Sequence, residues 1–192
     1  MKHSRRIRLA FLVLSCFLLL ILTAHAVTPL LYYSWNESTI TYYINPNITP
    51  VFGWTITNAI QAGLTSWNTT DAPTISASNS STSWDVHVDM NDYGETTWVG
   101  ICDPDVTDLG VYLSSSISIN VNGYYGYLNT PDLWKAVTCH EMGHAHGLGH
   151  NTTDNEASIM KSSLRDFYDY QSTSPHLTVP QQADISAVNG LY

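Results

Sequence analysis

The chain has 192 residues, 44% of them hydrophobic, which suits one compact domain with a buried core. Charged residues make up only 12% of the chain, and the formal net charge is −9. This acidic balance argues against nucleic acid or an anionic membrane surface as the partner, because both repel an excess of carboxylates.

The first 26 residues have the pattern of a secretory signal peptide. A basic start leads into an apolar run over residues 9–22, and Ala24-His25-Ala26 then fits a cleavage site. We predict cleavage after Ala26, and an uncleaved N-terminal anchor is the alternative. The run is short for a membrane span, which needs about 20 apolar residues. Arg5-Arg6 also admits twin-arginine export, although the very apolar run favours the general secretory route.

Cleavage would leave residues 27–192 as one secreted domain, which we expect to be a monomer without a stable membrane partner. It removes four of seven Lys and Arg and none of 16 Asp and Glu, which leaves a net charge of −13. Cys102 and Cys139 remain, either as a disulfide or as two separate buried thiols. In a eukaryotic secretory pathway, five sequons would accept glycans: Asn36, Asn47, Asn68, Asn79 and Asn151.

The first two thirds of the mature chain predict several strands and one long helix. Residues 39–44 are β-branched and aromatic and predict a strand that ends at Asn45-Pro46. Thr49 and Pro50 favour a helix start, and apolar residues near helical spacing extend this helix to Trp67. Further strands are predicted at residues 74–77, 85–90, 97–102 and 116–121, with a polar loop at 78–83.

The clearest helix begins after Thr130, a suitable N-cap, with Pro131 at the first helical position and Asp132 at the positive end of the helix dipole. Gly147 suits a left-handed cap at its end. A last helix is predicted over residues 180–189. The order of elements predicts an α+β fold in which helices pack on a mixed sheet of about five strands.

The end of this helix carries the sequence HEMGHAHGLGH over residues 140–150. His140 and His144 are one turn apart, so both imidazoles project from one helix face. Gly147 lets the chain turn, because a residue without a β-carbon adopts positive φ freely, and His150 can then close a third corner. Three histidine ligands with an open fourth position are typical of a catalytic zinc ion, bound at about 2.1 Å.

Glu141 is the predicted catalytic base. It follows His140 directly and can reach the water that zinc activates without itself being a ligand. It would take the water's proton and later give it to the leaving amine. We therefore predict a zinc endopeptidase that hydrolyses extracellular proteins or peptides. His146 lies off the ligand face, and we interpret it as a solvated histidine or as one that supports the ligands.

The spacing H-E-x-x-H-x-x-G-x-x-H resembles the metzincin metallopeptidases, and the chain resembles a minimal single-domain matrixin among them. The resemblance implies a zincin-like fold with a twisted mixed sheet, a long N-terminal helix, an active-site helix and a C-terminal helix. It also implies that Met160 forms a hydrophobic floor under the histidines. Asp184-Ile185 and the closing Leu191-Tyr192 resemble the matrixin C-terminal helix.

Three further expectations come from the same resemblance. The strand at residues 97–102 would be an edge strand that pairs with extended substrate, with Trp98 and Ile101 flanking the cleft. Residues 161–178 would form a wall of the pocket. Structural calcium is expected, and the candidate ligands are Asp103, Asp105 and Asp108, with a solvated acidic loop as the alternative. His87 and His176 are isolated, and we interpret them as ordinary surface or core histidines.

Two other functions fit the same sequence. A zinc-binding but inactive adhesion or regulatory protein would keep the three histidines, although the presence of Glu141 argues against it. A secreted structural domain would bind no metal at all. A protein-cleavage assay with and without a chelator separates the peptidase from both, and metal analysis separates the two from each other.

Overall fold

The computed structural model describes residues 28–48, 52–122, 130–168 and 176–192. The predicted signal peptide and the predicted helix start at Thr49 and Pro50 lie outside these ranges. Inside them, five strands form one sheet: β1 Thr39–Ile44, β2 Thr74–Ala77, β3 Val86–Asn91, β4 Gly100–Val106 and β5 Tyr112–Asn120. Four helices accompany the sheet: α1 Trp54–Thr65, α2 Pro131–Ala145, α3 Leu164–Phe167 and α4 Gln182–Asn189.

The sheet is mixed, as the sequence predicted. Its strand order is β2-β1-β3-β5-β4, in which the first four strands run parallel and β4 runs antiparallel to β5. This places β4 at one edge, with a hydrogen-bonded neighbour on one side only. The coarse prediction of an α+β architecture with five strands is therefore confirmed.

The core lies between the sheet and the two long helices. Strand β3 alternates as the sequence predicted, with Val86, Val88 and Met90 buried and the residues between them half-buried. A 3₁₀ turn over Ser66–Thr69 continues α1 and buries Trp67, whose indole N–H donates to the carbonyl of Cys139 in α2 at 3.0 Å. This contact fixes the first long helix against the helix that carries the histidines.

Several boundaries differ from the sequence prediction. Strand β4 runs from Gly100 to Val106 rather than over residues 97–102, so Trp98 lies before the strand. It extends past residue 102 because pairing with β5 keeps Asp103, Pro104 and Asp105 extended against their weak strand propensity. Strand β5 begins at Tyr112, four residues earlier than predicted, because serines mask its pattern. Helix α3 was not predicted, and α4 begins at Gln182, where a capping box between Gln181 and Asp184 starts it.

The two cysteines are free thiols, so the alternative of separate thiols is the one observed. Cys139 is fully buried in α2, and Cys102 is half-buried in β4. Burial raises the pKa of both thiols to about 12, so both are protonated at neutral pH. None of the helices in the described ranges combines the length and the apolar character needed to cross a bilayer.

Candidate metal centre

Helix α2 begins as its sequence predicts. The Thr130 hydroxyl accepts a hydrogen bond from the Leu133 N–H at 3.2 Å, and Pro131 occupies the first turn. Almost every residue from Leu133 to Met142 is buried, because the helix packs between α1 and the sheet. His140 and His144 share one face near its end, with ring centroids 4.8 Å apart. The helix thereby holds two imidazoles rigidly at one end of the sheet.

The third histidine returns through a turn at Gly147. This residue has a φ of 89°, a left-handed conformation that glycine adopts without strain. The turn brings the Nε2 of His150 to 3.2 Å from the Nε2 of His144. One nitrogen from each of His140, His144 and His150 lies within 4.8 Å of the other two, so the three can hold one metal ion. Among the described residues no other group of three metal-ligating side chains comes together.

Backbone carbonyls orient two of the three rings. The Nδ1 of His140 lies 2.7 Å from the carbonyl of Ile159, and the Nδ1 of His144 lies 2.7 Å from the carbonyl of Leu148. Because a carbonyl oxygen only accepts, each Nδ1 carries the proton and each Nε2 keeps its lone pair. Such orientation of the second nitrogen is usual for histidines that bind metal. The donor set therefore fits a metal ion.

Burial keeps the triad uncharged. Loss of hydration lowers the pKa of His140 to about 3 and that of His144 to about 4, and neighbouring histidines lower both further. The pKa of His150 is lowered for the same reason. Neutral imidazoles are the form that binds metal, so the site is ready for a cation at neutral pH.

Met160, which was expected to lie under the histidines, packs against the helix that carries two of them. It is fully buried, its sulfur packs directly against Gly143 in α2, and its carbonyl accepts from the Asn151 N–H at 2.7 Å. The turn that carries it is held by Asp184, a fully buried carboxylate that accepts from the Ser158 hydroxyl at 2.5 Å and the Ile159 N–H at 2.9 Å. Because the carbonyl of Ile159 meets the Nδ1 of His140, Asp184 helps to position the His140 ring through Ile159.

The start of the described chain is paired with the loop that leads to His150. Leu30 and Leu148 form an antiparallel bridge, the Leu31 N–H donates to Gly147 at 2.7 Å, and the Gly149 N–H donates to Pro29 at 2.6 Å. These bonds hold the loop from a segment more than a hundred residues earlier in the chain. Nothing in the local sequence signalled this pairing.

Glu141 is buried between α2 and the edge of the sheet, with 5% of its surface exposed. The nearby backbone of Cys102 in β4 favours the charged carboxylate, but loss of hydration dominates and raises the pKa of Glu141 to about 8. A cation on the neighbouring histidines would favour the charged form and lower this pKa. The carboxylate lies so close to Gly100 that a β-carbon there would stand 2.5 Å from its Oε1.

A cleft of about 1000 Å³ opens in front of these groups. One wall is the edge of β4, which includes Ile101, together with the residues before it, which include Trp98. Both residues were predicted to flank the cleft. Residues 162–165, 167 and 168 also line the cleft, and they belong to the segment 161–178 that was predicted to wall the pocket. Residues 169–175 of that segment lie outside the described ranges.

Phe167 is a site residue that the sequence did not single out. Its ring stacks on His140, with centroids 5.0 Å apart and planes 13° apart. The Leu177 N–H donates to its carbonyl at 2.9 Å, and Tyr168 beside it packs against His176 with centroids 4.0 Å apart. Only the position of Phe167 within the predicted wall segment could have indicated it.

His146 is not a solvated or supporting histidine, and that interpretation is wrong. Its side chain is completely buried, and neither ring nitrogen has a hydrogen-bond partner in the described part of the chain. The rings of Trp67 and Tyr192 lie 5.8 and 6.3 Å from its own. Burial lowers its pKa to about 3. It lies off the ligand face, as predicted, but inside the core.

Two other expectations gain no support from the geometry. Asp103 and Asp105 are exposed on β4 and Asp108 lies in the following turn, and the metal-ligating group found among the described residues includes none of them. The Asn151 sequon is buried, and its amide donates to Thr28 at 3.2 Å, so the folded protein cannot present it to a glycan-transferring enzyme. The histidine at position 87 packs beside Tyr43 and Trp84, outside the triad.

The sequence matches no family model and no curated protein. The site itself combines three converging imidazoles, the buried carboxylate of Glu141 and a cleft that all four side chains line.

Proposed function

We propose that this chain is a secreted zinc-dependent endopeptidase of the metzincin type. One observation carries the proposal. Three imidazole nitrogens lie within 4.8 Å of one another, and the buried carboxylate of Glu141 adjoins them at the floor of an open cleft. Three neutral histidine ligands with access from one side suit a catalytic metal rather than a structural one.

Zinc is the proposed metal because an all-imidazole set of three ligands is typical of catalytic zinc sites. When bound there, zinc lowers the pKa of its water toward about 7 and polarises the scissile carbonyl. His140, His144 and His150 would hold it through the nitrogens that face one another. The carbonyls of Ile159 and Leu148 support this role by fixing two of the rings.

Glu141 is the proposed general base. Its carboxylate would accept the proton of the attacking water and deliver it to the nitrogen of the leaving amine. Two features of the chain support this assignment. The carboxylate is shielded from bulk solvent, and contact with β4 holds it beside the triad.

An extended peptide is the proposed substrate. The cleft runs along β4, whose outer edge lacks a strand partner among the described residues and can pair with a peptide backbone. Trp98 and Ile101 would contact substrate side chains from the strand side, and residues 162–168 from the other side. The resemblance of residues 140–150 to the metzincin motif and the packing of Met160 against Gly143 support the metzincin assignment. Secretion is proposed from the signal pattern of residues 1–26.

The proposal is tested with purified mature protein and a quenched protein substrate, with and without a strong chelator. Glu141→Ala should keep one zinc per chain but lose about 10²- to 10⁴-fold in kcat, the contribution usual for a general base. Glu37→Ala, which removes an exposed carboxylate, is the matched control. Unchanged turnover in Glu141→Ala, or hydrolysis that survives metal removal, would contradict the assignment.

A further inference from the structure

The outer edge of β4 lacks a backbone N–H at one of the positions where a peptide could pair with it. The Asn120 N–H donates to the carbonyl of Val99 at 2.7 Å, and these residues lie opposite each other one step before the Gly100–Ile119 pair. Antiparallel strands alternate between residues that bond to the partner and residues that bond away from it. Val99 bonds toward β5, so Gly100, Cys102 and Pro104 direct their backbone groups toward the cleft.

Two of these three residues, Gly100 and Cys102, carry an N–H that can face a substrate. Pro104 has no N–H, which the strand tolerates because this position faces away from β5. The edge therefore offers two N–H groups and three outward carbonyls. Pro104 itself lines the cleft.

We propose that Pro104 sets the limit to which a substrate can pair along β4, so that this protein reads a short stretch of peptide before the scissile bond. The inference rests on the proposed function. Glu141 adjoins Gly100 and Cys102, which places the chemistry beside these residues. Antiparallel pairing is the more stable arrangement per residue, and it puts the N-terminal side of the substrate opposite Pro104.

A second feature of β4 ends the pairing at the same place. Pro104 lies about 7 Å beyond Cys102, two strand residues further on. The register with β5 then shifts at a bulge between Asp105 and Val106, which bends the strand and increases its twist. A substrate backbone that followed the edge past Cys102 would first lose a donor and then lose a straight strand to follow.

The test uses peptides with one fixed cleavage sequence, lengthened at the N terminus one residue at a time. For the wild-type protein, kcat/KM should rise less for the peptide residue opposite Pro104, which lacks one of two backbone hydrogen bonds, than for the residue opposite Cys102. Pro104→Ala supplies the missing N–H and should raise kcat/KM by about 2- to 12-fold for the longer peptides only, the factor expected for one hydrogen bond. Pro46→Ala, in an exposed turn, is the matched control and should change nothing.

A reduced-amide peptide identifies the bond itself. When the substrate carbonyl opposite residue 104 is replaced by a methylene, the gain of Pro104→Ala should disappear. The same replacement should leave the wild-type protein unaffected, whereas a methylene opposite Gly100 should weaken it. This wild-type measurement tests the inference even if Pro104→Ala fails to fold. A length dependence that is equal in both proteins, or a wild-type loss opposite Pro104, would overturn it.

Binding measurements separate this inference from the proposed function. The same peptides are titrated by calorimetry into zinc-loaded Glu141→Gln, which keeps the size of the side chain at position 141, with and without Pro104→Ala. Length-dependent binding without cleavage by the wild-type protein would overturn the peptidase assignment and support the role of Pro104. Cleavage with a Pro104→Ala affinity equal to that of the parent at every length would overturn the role of Pro104 alone.

Discussion

His140 and His146 are both buried at the end of α2, and burial lowers the pKa of each to about 3, yet their surroundings differ. The Nδ1 of His140 meets the carbonyl of Ile159, its ring stacks on Phe167, and its other nitrogen joins the triad. Both nitrogens of His146 lie without a hydrogen-bond partner among the described residues, close to Trp67. The difference between the two histidines is that other segments orient the ring of His140 toward the triad.

The triad and His146 also differ in whether hydrogen bonds replace the hydration that burial removes. In the triad, hydrogen bonds compensate for the lost hydration of two imidazoles and direct their lone pairs to a common point. No hydrogen bond from the described residues compensates for the lost hydration of His146, so we expect that side chain to destabilise the fold. Substitutions at the two kinds of position should therefore move metal affinity and stability in different directions.

The largest effect is expected from breaking the triad. His150→Ala should weaken zinc binding by more than about 100-fold, since even the loss of a residue that only supports a ligand costs about 10- to 100-fold. His146→Ala is the control on the other side of the comparison and should leave zinc affinity unchanged. Competition with a chromophoric chelator measures both. Equal losses of zinc affinity in the two variants would contradict the distinction between His150 and His146.

Gly100→Ala should displace the buried carboxylate of Glu141, which contacts this residue. The added β-carbon would stand 2.5 Å from the Oε1 of Glu141 and 2.8 Å from a methyl of Val137, so the carboxylate must shift. A misplacement of about 1 Å can lower turnover by about 100-fold. We expect kcat to fall while KM and zinc content stay constant.

The control for that variant is Gly190→Ala, where the nearest atoms lie at 3.4 Å, an ordinary contact distance. Steady-state kinetics and metal analysis of both proteins provide the readout. A Gly100→Ala protein with wild-type kcat would show that β4 does not place Glu141.

His146→Leu tests the uncompensated position through stability. Removing two buried, unpaired nitrogens should raise the free energy of unfolding by about 1–3 kcal/mol. The folded-state pKa of about 3 lies below the ordinary 6.5, so the unfolded chain binds the proton first as pH falls. Protonation of His146 therefore costs no stability above about pH 6.5, and the free energy of unfolding falls progressively as pH drops from about 6.5 toward about 3.

Replacing His146 by Leu removes that loss, by up to about 1.4 kcal/mol per pH unit in this window. Urea unfolding of chelated protein between pH 7 and pH 4 measures it, with the half-buried His87→Leu as control. If the free energy of unfolding depends on pH equally in His146→Leu and the wild-type protein, the His146 ring of the wild-type protein must have a hydrogen-bond partner.

The smallest effect is expected at the ring that covers His140. Phe167→Leu keeps an apolar side chain but removes the stacked contact, which is worth about 0.5–1.5 kcal/mol for aromatic pairs. Zinc affinity should fall by about 2- to 10-fold. Phe52→Leu, which does not line the cleft, should have no such effect. A calorimetric titration that gives the same affinity for all three proteins would remove Phe167 from the site.

Much of the local structure could be predicted because short-range rules decide it. The one-turn spacing of His140 and His144, the Thr130 cap and the left-handed turn at Gly147 depend on residues a few positions apart. The strands of the sheet were placed with errors of a few residues at their ends. Those errors arose where pairing with β5 outweighed the weak strand propensity of residues 103–105.

By itself, the sequence determined the donor set of the candidate metal centre and the helix that carries most of it. Only the tertiary structure decided that Ile159 and Phe167 orient His140, that Pro29 and Leu31 hold the loop to His150, and that Pro104 faces the cleft. The physical reason is how far apart in the sequence the interacting residues lie. Spacing along a helix is fixed by neighbours, whereas contacts between distant segments depend on the path of the whole chain through the core.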